Sequence, residues 1–522
     1  MSEETRNNLL RQGTILAVAG IVVRIIGMIY RIPLANIIGD EGNGVYSVAF
    51  NVYNIALILS SYGLPMAVSK MVAASLTKKE FRSTRRIFVY SLLFACCSGG
   101  LAALVIFFGA DWLADYVYTG YAGIELPLRV LAPTIFIVAL LGVVRGFFQG
   151  HANMVPTAVS QVFEQIVNAV VSIAAALILV NAHAGSANIT GYGAMGATFG
   201  TCFGALAGLI CVVCWYLAGR RAFMAQVDSC TQVRQESGAQ ICKMILFTAV
   251  PIILGQTFYQ ISAVFDDILF GNLMAAKGFS SEVISGNSGV YNSIYVLMIS
   301  IPMGIASALA SSALPSIVRS FTLHDMNEVK QKIHSVIKFN MMIAIPSAVG
   351  LMLIGEPIVR LIFPRLDYVT GGIMLRVGGP AVVFYALSTV SSSILQALDK
   401  MKKPVVHSAV SLVLHLILVS GLIYFTDMGA YALVIGYMTF PVIVGILNMI
   451  EIGRTIGYRQ EWKRTFALTT ACALFMGLCT WGAYKFIYAV LQNNLYAVLA
   501  ALAVAMVTYF GPMTAFGNVE KP

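Results

Sequence analysis

Residues 22–33, VVRIIGMIYRIP, lie inside the first long apolar run of the chain and contain two arginines, Arg24 and Arg31. An arginine at the centre of a bilayer is disfavoured by roughly 3 kcal/mol on insertion scales. On a helix, residues seven apart are separated by two turns, so both guanidinium groups share one face, about 10 Å apart. A membrane span with two such charges needs a partner or a ligand for them.

The composition around this stretch is that of a membrane protein. The chain has 522 residues, of which 58% are hydrophobic and 11% charged, and its mean hydropathy is +0.82. Soluble domains carry about 25% charged residues. The first apolar run is too long for the hydrophobic region of a signal peptide, so we expect it to remain as a mature span. The composition therefore predicts an all-α polytopic membrane protein.

Apolar runs long enough to cross a bilayer, about 20 residues each, recur along the whole chain. The sequence predicts 14 transmembrane helices, near residues 13–38, 44–73, 85–109, 126–148, 156–181, 192–218, 241–271, 286–313, 333–355, 371–398, 404–425, 430–451, 465–487 and 492–512.

The charges test this count, because alternate loops are strongly basic. Of the 33 Lys and Arg residues, four lie in loops of one side, four lie within spans, and the remaining 25 lie on the other side. By the positive-inside rule the basic side is cytoplasmic, which places both termini inside. The net charge of +10 then reflects topology, and nucleic acid is not expected as a partner.

The chain contains an internal repeat. LRVLAP at 128–133 recurs as LRVGGP at 375–380, an offset of 247, and GVY at 44–46 recurs at 289–291, an offset of 245. The shared offset predicts two six-helix lobes with the same orientation, related by a pseudo-two-fold axis along the membrane normal, plus two C-terminal helices. The predicted segments are 1–220, a cytoplasmic linker at 221–240, 241–455, and 456–522 with a short tail.

Such parallel repeats are typical of transporters that work by alternating access, with a cavity between the halves. Arg24 and Arg31 are then candidates for an anion site facing that cavity, because guanidinium binds phosphate oxygens in a bidentate manner. The alternative is that the arginines pair with buried carboxylates and only fix helix packing. Pro33 is expected to bend the first helix near its outer end.

Other polar residues within or at the ends of the spans form a second group of candidates. Carboxylates on the fifth and seventh spans are candidates for ion coupling or charge pairing, namely Glu164, Asp266 and Asp267. Repeat-related arginines and a polar stripe of the seventh span are candidates for substrate contact or gating, namely Arg129, Arg376, Gln256 and Gln260.

The sequence carries no catalytic or nucleotide-binding motif. It has no phosphate-binding P-loop, no GxSxG and no HExxH, and no metal or cofactor is expected. His151, His324, His334 and His407 lie in basic loops, where a solvated histidine is the ordinary case. The chain is therefore predicted to be a transporter and no enzyme.

Two segments carry a family resemblance. Residues 22–73, VVRIIGMIYRIPLANIIGDEGNGVYSVAFNVYNIALILSSYGLPMAVSKMVA, resemble the start of polysaccharide transporters of the multidrug/oligosaccharidyl-lipid/polysaccharide (MOP) exporter superfamily. Residues 145–168, RGFFQGHANMVPTAVSQVFEQIVN, resemble the same group. The likeness is to the stage V sporulation protein B group, which is similar to bacterial lipid II flippases, and it extends over essentially the whole chain.

The resemblance implies a MATE-like fold in the bacterial cytoplasmic membrane. It implies a flippase that moves an undecaprenyl-diphosphate-linked cell-wall precursor, in first place lipid II, from the inner to the outer leaflet. Arg24 and Arg31 match the first-span arginines that bind the diphosphate in lipid II flippases. Two departures are that Asn168 stands where the group has an arginine, and that spans two and eight lack the further cavity arginines.

Three alternatives remain open from the sequence. The chain is a flippase for another lipid-linked oligosaccharide, a multidrug/cation antiporter of the same superfamily, or a non-transporting partner of the cell-wall or sporulation machinery. Membrane lipids and a coupling cation or proton are the expected further partners, and the internal two-fold makes a monomer sufficient.

Overall fold

The apolar runs fold into long helices in the computed structural model. The structure describes residues 3–61, 63–229 and 237–515, with the side chains at 3–11, 13, 17, 251–252, 254–256, 258–259, 311–312 and 515 left out. The helices are α1 (Glu3–Ser60), α2 (Leu64–Thr77), α3 (Phe81–Trp112), α4 (Glu125–Gly150), α5 (Val155–Ala182), α6 (Ile189–Asp228), α7 (Gly238–Ala276), α8 (Ser281–Val290), α9 (Leu297–Thr322), α10 (Met326–Ile362), α11 (Tyr368–Gly378), α12 (Ala381–Ala397), α13 (Lys402–Phe425), α14 (Ala430–Ile456), α15 (Thr469–Leu491) and α16 (Asn494–Ala515). Three π-helical turns extend α3 and precede α9 and α15.

The prediction of an all-helical polytopic membrane protein is confirmed. Within the described residues, 11 helices are long and apolar enough to cross a membrane, and a twelfth results if the bent pair α11 and α12 forms one span. The count of 14 stays a prediction.

The described chain divides into two compact units, residues Met1–Gly286 and Asn287–Pro522. Within the first unit, α7 packs against α1, α2 and α3. The first unit thus includes the helix that the sequence predicts as the first of the second lobe. The predicted segments 1–220, 221–240, 241–455 and 456–522 stay a prediction.

The first unit is held together by close helix packing. Buried apolar side chains of α2, α3, α4, α6 and α7 form one cluster, with Val68, Phe88, Phe147, Val212 and Ile245 among its members. Helices α5 and α6 meet along glycines spaced four apart on α6, at 196, 200, 204 and 208. In lipid, where the hydrophobic effect does not drive helix association, small residues let backbones approach closely enough for packing.

In the second unit, the long helix α10 packs against α9, α11, α12, α15 and α16. The hydroxyl of Tyr509 on α16 donates to the carbonyl of Met342 at 2.7 Å, and the amide of Asn494 donates to the carbonyl of Pro357 at 2.9 Å. Both carbonyls lie within α10 near its internal prolines, Pro346 and Pro357. The C-terminal helix therefore satisfies polar groups of α10 that lipid cannot satisfy.

One predicted span is broken in the structure. Helices α11 and α12 are bent by 53° at the segment GGP. Pro380 lacks an N–H, and the two glycines before it have low helix propensity, so the helix yields there. The hydroxyl of Tyr295 donates to the Gly378 carbonyl at 3.2 Å. The repeat counterpart LRVLAP lacks the glycine pair, and α4 continues through Pro133 as one helix.

The break in α1 lies at Gly39, six residues after Pro33, and the bend predicted at Pro33 stays a prediction. Gly39 has φ 70° and ψ 178°, while Pro33 stays inside the helix. The amide of Asn43 donates to the carbonyls of Ala35 at 2.9 Å and Gly39 at 2.6 Å. A left-handed φ strains residues with a side chain, and the Asn43 amide satisfies carbonyls that the break leaves without helical partners.

Close helix approach just after the break in α1 generates a stability prediction. A Cβ at Gly44 would overlap the backbone carbonyl of Ser285 on α8, whereas a Cβ at Gly20 on the same helix would meet nothing within 4 Å. We expect Gly44→Ala to lower the free energy of unfolding by about 1–3 kcal/mol because backbone must move. The matched Gly20→Ala should be neutral or stabilising by up to about 1 kcal/mol, since alanine is the better helix former. Thermal unfolding of both variants in one detergent checks this, and equal melting temperatures would contradict it.

Candidate functional site

Arg24 and Arg31 both lie on α1 with exposed side chains. Among the described residues, neither guanidinium makes an ion pair with a carboxylate. The two positions are two helical turns apart, which corresponds to about 10 Å along the axis. Both charges are therefore accessible to an anionic ligand from the same side of α1.

The surroundings of Arg31 are polar but uncharged. Its guanidinium lies close to the hydroxyls of Tyr30 and Tyr46, and both tyrosines are buried. The Tyr30 hydroxyl accepts a hydrogen bond from the amide of Asn168 on α5 at 3.4 Å, and Asn168 accepts one from Ser172 at 3.0 Å. This network orients neutral groups beside the cation and leaves its charge uncompensated.

The sequence places a stripe of small residues, Gly13, Ala17, Gly20 and Gly27, on the arginine face of α1. These residues serve in part for packing against α5. A Cβ at Gly27 would lie 3.1 Å from Nε2 of Gln165, while one at Gly20 would face open space. Gly13 and Ala17, also in the predicted stripe, lie outside the described side chains. Apolar residues on the rest of α1 are exposed, as expected for a lipid-facing surface, namely Val18, Ile21, Val22, Ile25, Met28 and Ile29.

Glu164 has its own partner and does not neutralise the α1 arginines. It pairs with Arg145 of α4, with 2.7 Å between Nη2 and Oε2, and Arg145 also donates from Nε to the hydroxyl of Ser160 at 2.9 Å. The side chains of Arg145 and Glu164 are only 13% and 29% exposed. The structure places Arg145 near the C-terminal end of α4, and its assignment to the cytoplasmic charges stays a prediction.

Asp266 and Asp267 are buried on α7, at 8% and 4% exposure. The amide of Asn51 on α1 donates to Oδ2 of Asp267 at 2.8 Å, and the hydroxyl of Tyr121 donates to the Asp267 carbonyl at 3.4 Å. Among the described residues, no cation lies within ion-pair distance of Asp267. Buried carboxylates without a counter-charge are unusual, because desolvation is costly.

The repeat-related arginines have equivalent partners in the two units. Arg129 makes two hydrogen bonds, at 2.8 and 2.6 Å, to Asp111 of α3, the helix that precedes its own. Arg376 contacts Glu356 of α10, again the preceding helix, at 3.5 Å. All four side chains are largely exposed. The structure therefore places both arginines in exposed ion pairs near helix ends.

Gln256 lies outside the described side chains, and Gln260 is exposed on α7. The structure thus brings together Tyr30, Asn168 and Arg31, and separately Asn51 with Asp267. In the part of the chain that the structure describes, no group of three His, Cys, Asp or Glu residues could hold a metal ion.

The second unit contains a polar cluster that the sequence did not indicate. The expectation that His407 is solvated in a loop is corrected, because it lies on α13 and its Nδ1 is 2.7 Å from Oδ1 of Asn448 on α14. Asn448 is fully buried and donates to the hydroxyls of Ser391 and Ser392 on α12. The cluster joins three helices through satisfied polar groups. The only indication of this cluster in the sequence is that polar residues occur on three separate apolar runs.

Two ion pairs of different burial generate a matched prediction. Glu164→Gln leaves the poorly accessible Arg145 without a counter-charge, and we expect it to lower the free energy of unfolding by roughly 3 kcal/mol. Asp111→Asn breaks an exposed pair and should lower it by about 1 kcal/mol or less. Denaturant unfolding of both variants in the same detergent measures the difference, and an equal loss would show that the Arg145 pair does not stabilise the fold.

The chain is similar in sequence to known membrane proteins. The family model described as "Polysaccharide biosynthesis protein" matches residues 9–321, and the model described as "MatE" matches residues 251–419. The lipid II flippase MurJ of Bacillus subtilis is 26% identical over 487 residues, which covers 90% of this chain and 88% of that protein. The stage V sporulation protein B of the same organism is 23% identical over 475 residues, with 90% and 88% covered.

Solved structures show the same fold. A structure of the lipid II flippase MurJ in an inward closed conformation superposes with a TM-score of 0.68 at 14% identity, covering 96% of this chain and 98% of that one. An inward-facing multidrug resistance MATE family transporter of the MOP superfamily gives a TM-score of 0.67 at 17% identity, covering 83% and 94%. The fold is MATE-like and MurJ-like, and the resemblance seen in the sequence is confirmed.

Proposed function

Since the chain belongs to the polysaccharide biosynthesis protein family, we propose that it is a flippase for an undecaprenyl-diphosphate-linked cell-wall precursor, with lipid II as the specific substrate. The observation that carries this proposal is the pair of accessible arginines on α1, which have no carboxylate partner among the described residues. The relatives named above as a lipid II flippase and a sporulation protein support it at modest identity.

The chemistry of the two arginines suits a lipid diphosphate. A guanidinium group stays charged at any physiological pH and binds phosphate oxygens through paired N–H groups. A diphosphate offers several such oxygens, so two guanidinium groups on one helix face can bind one headgroup at its two phosphates or bind it in succession. The hydroxyls of Tyr30 and Tyr46 beside Arg31 can add donors to the same anion.

The membrane potential alone can drive the outward movement. Moving one charge across 100 mV changes the free energy by about 2.3 kcal/mol. Outward movement of a dianionic headgroup from the negatively charged cytoplasmic side is therefore favoured by about 4.6 kcal/mol. The reaction moves a lipid and changes no covalent bond. We therefore propose alternating access without hydrolysis of ATP, by a monomer in the bacterial cytoplasmic membrane with both termini inside.

We also propose that the chain has the full 14 spans. The first candidate membrane element, Thr14–Thr77, is 64 residues long, whereas one span needs about 20 residues. The break at Gly39 divides that element into two spans. The bent pair α11 and α12 and the 39-residue helix α7 supply the others.

Arg24 is the decisive position for this proposal. We expect Arg24→Ala to reduce lipid II flipping at least about tenfold, because charge-assisted hydrogen bonds to the diphosphate are lost. Arg24→Lys should keep part of the activity, since it keeps the charge without the planar fork. Leaflet-specific accessibility of lipid II, in cells depleted of the native protein and complemented with each variant, measures this.

The matched control is Arg129→Ala, which removes an exposed arginine that Asp111 already neutralises. It should flip lipid II within about twofold of the unmodified chain, because exposed ion pairs contribute little. Normal flipping by Arg24→Ala in a membrane-inserted protein would refute the site. Efflux of cationic dyes in place of lipid movement would favour the antiporter, and flipping of a different lipid-linked oligosaccharide would change the glycan.

Ion coupling is a second candidate activity, supported by Asp267. A buried carboxyl with one amide donor, and with no cation within ion-pair distance among the described residues, can exchange a proton or bind a cation as the carrier resets. Asp267→Asn has nearly the same shape but cannot carry a proton or a charge. We expect it to abolish any dependence of flipping on an imposed proton or sodium gradient while retaining potential-driven flipping. Transport in proteoliposomes under each gradient checks this, and an unchanged gradient dependence would exclude Asp267 as the coupling group.

A further inference from the structure

A cavity of about 220 Å³ lies in the first unit between the C-terminal end of α4 and the C-terminal part of α6. Its apolar lining is largely aromatic, and its polar lining includes a histidine and an arginine; the main residues are Phe147, His151, Trp215, Tyr216, Arg220 and Phe223. None of these residues belongs to the α1 site. The cavity is therefore a binding-site candidate separate from the α1 site.

The level of this cavity is the membrane–water interface. The predicted sixth span ends at 218, and α6 continues to Asp228, so about 15 Å of helix extends beyond the span. Trp215 and Leu217 are exposed, as are apolar residues nearer the middle of α6 such as Ile210. Tryptophan and tyrosine are enriched at the headgroup level of a bilayer. The cavity thus opens beside lipid headgroups, with an apolar helix face leading away from it.

The polar groups of the cavity retain unused binding capacity. Arg220 is exposed, and among the described residues it makes no ion pair or hydrogen bond. Nδ1 of His151 lies 2.8 Å from the carbonyl of Phe147, and a carbonyl only accepts, so this nitrogen carries the proton. Nε2 of the same ring is buried and has no hydrogen-bond partner in the described structure.

Since Nε2 of His151 is buried, a ligand in the cavity does not reach it. Asn153, which also lines the cavity, supplies a donor. Its side-chain oxygen accepts from the N–H of Val155 at 3.2 Å, and among the described residues its side-chain amide N–H groups make no hydrogen bond. The cavity combines one fixed cation with an amide donor.

We propose that this cavity binds the phosphoglycerol headgroup of an anionic membrane lipid. Arg220 binds the phosphate, the side-chain amide of Asn153 donates to a glycerol hydroxyl, and the aromatic side chains contact the glycerol carbons. The acyl chains lie along the exposed apolar face of α6. The proposal does not depend on the flippase assignment, because it uses a different set of residues.

Other headgroups fit this lining less well. A choline or ethanolamine headgroup carries a cation that would lie next to Arg220, and choline has no hydroxyl to accept from the amide of Asn153. Inorganic phosphate or free glycerol phosphate has the charge but no chains for the apolar helix face. The lipid form is therefore favoured over a soluble phosphate.

Gly219 offers a clean way to test the cavity. A Cβ at Gly219 would meet nothing within 4 Å, so Gly219→Leu can fill the cavity without displacing the backbone. The matched control is Gly482→Leu on α15, another exposed helical glycine with open space around it. Arg220→Gln removes the charge, and Arg220→Lys retains it.

The experiment measures binding of phosphatidylglycerol to the purified full-length chain in phosphatidylcholine nanodiscs, with bound lipid quantified by native mass spectrometry. Gly219→Leu and Arg220→Gln should weaken binding about tenfold, the expected effect of losing a charge-assisted contact, while Gly482→Leu binds like the unmodified chain. Arg220→Lys should recover part of the loss.

Three results would overturn the proposal. Unchanged phosphatidylglycerol binding by Arg220→Gln would show that the cavity arginine takes no part. An equal loss in Gly482→Leu would show a general effect of added side-chain volume. Binding of soluble glycerol 3-phosphate as tight as that of the lipid would assign the cavity to a free phosphate metabolite.

Discussion

The fold depends on one constraint, which is that a polar group in hydrocarbon must find its partner within the protein. The broken ends and bends of the helices show how this is met. Asn43 donates to two carbonyls at the Gly39 break, Tyr295 donates to Gly378 at the bend between α11 and α12, and Tyr509 donates to Met342 within α10. Each of these side chains allows an irregular backbone where lipid offers no hydrogen bonds. Irregular helices are thus possible because side chains of the same helix or of a neighbouring element supply donors.

The same constraint makes the charged groups without a partner informative about function. Arg145 and Glu164 neutralise each other, and Arg129 is neutralised by Asp111, so these groups are accounted for by structure. Arg24 and Asp267 have no counter-charge among the described residues. The first unit pairs other charges, as with Arg145 and Glu164, but leaves these two available. A transported anion or a coupling cation needs a charged side chain that is not already neutralised. This is the physical reason for proposing function on α1 and α7.

The sequence was sufficient for the helices but not for most of the polar contacts. Length and apolarity located the helices, because those properties are local and the bilayer sets the scale. The partner of Glu164 could not be predicted, since helical periodicity gives the face of a side chain and not the neighbouring helix. Asn51 was missed for the same reason. The break at Gly39 was not predicted, because the sequence does not show that this glycine takes a positive φ, and the contacts of Asn43 that accompany the break are visible only in the structure.

Comparing the two internal repeats distinguishes charged residues that the fold needs from those that a substrate would need. Both units retain an arginine that pairs with a carboxylate of the preceding helix, Arg129 with Asp111 and Arg376 with Glu356. At the offset of 245 given by the nearby GVY repeat, however, the counterparts of Arg24 and Arg31 are Leu269 and Ala276. The exposed ion pair occurs in both repeats, while the arginine pair of α1 has no counterpart in the second. A duplicated scaffold with these charges in a single repeat is suited to a substrate that carries its negative charge at one place, as a lipid diphosphate does between its chain and its sugar.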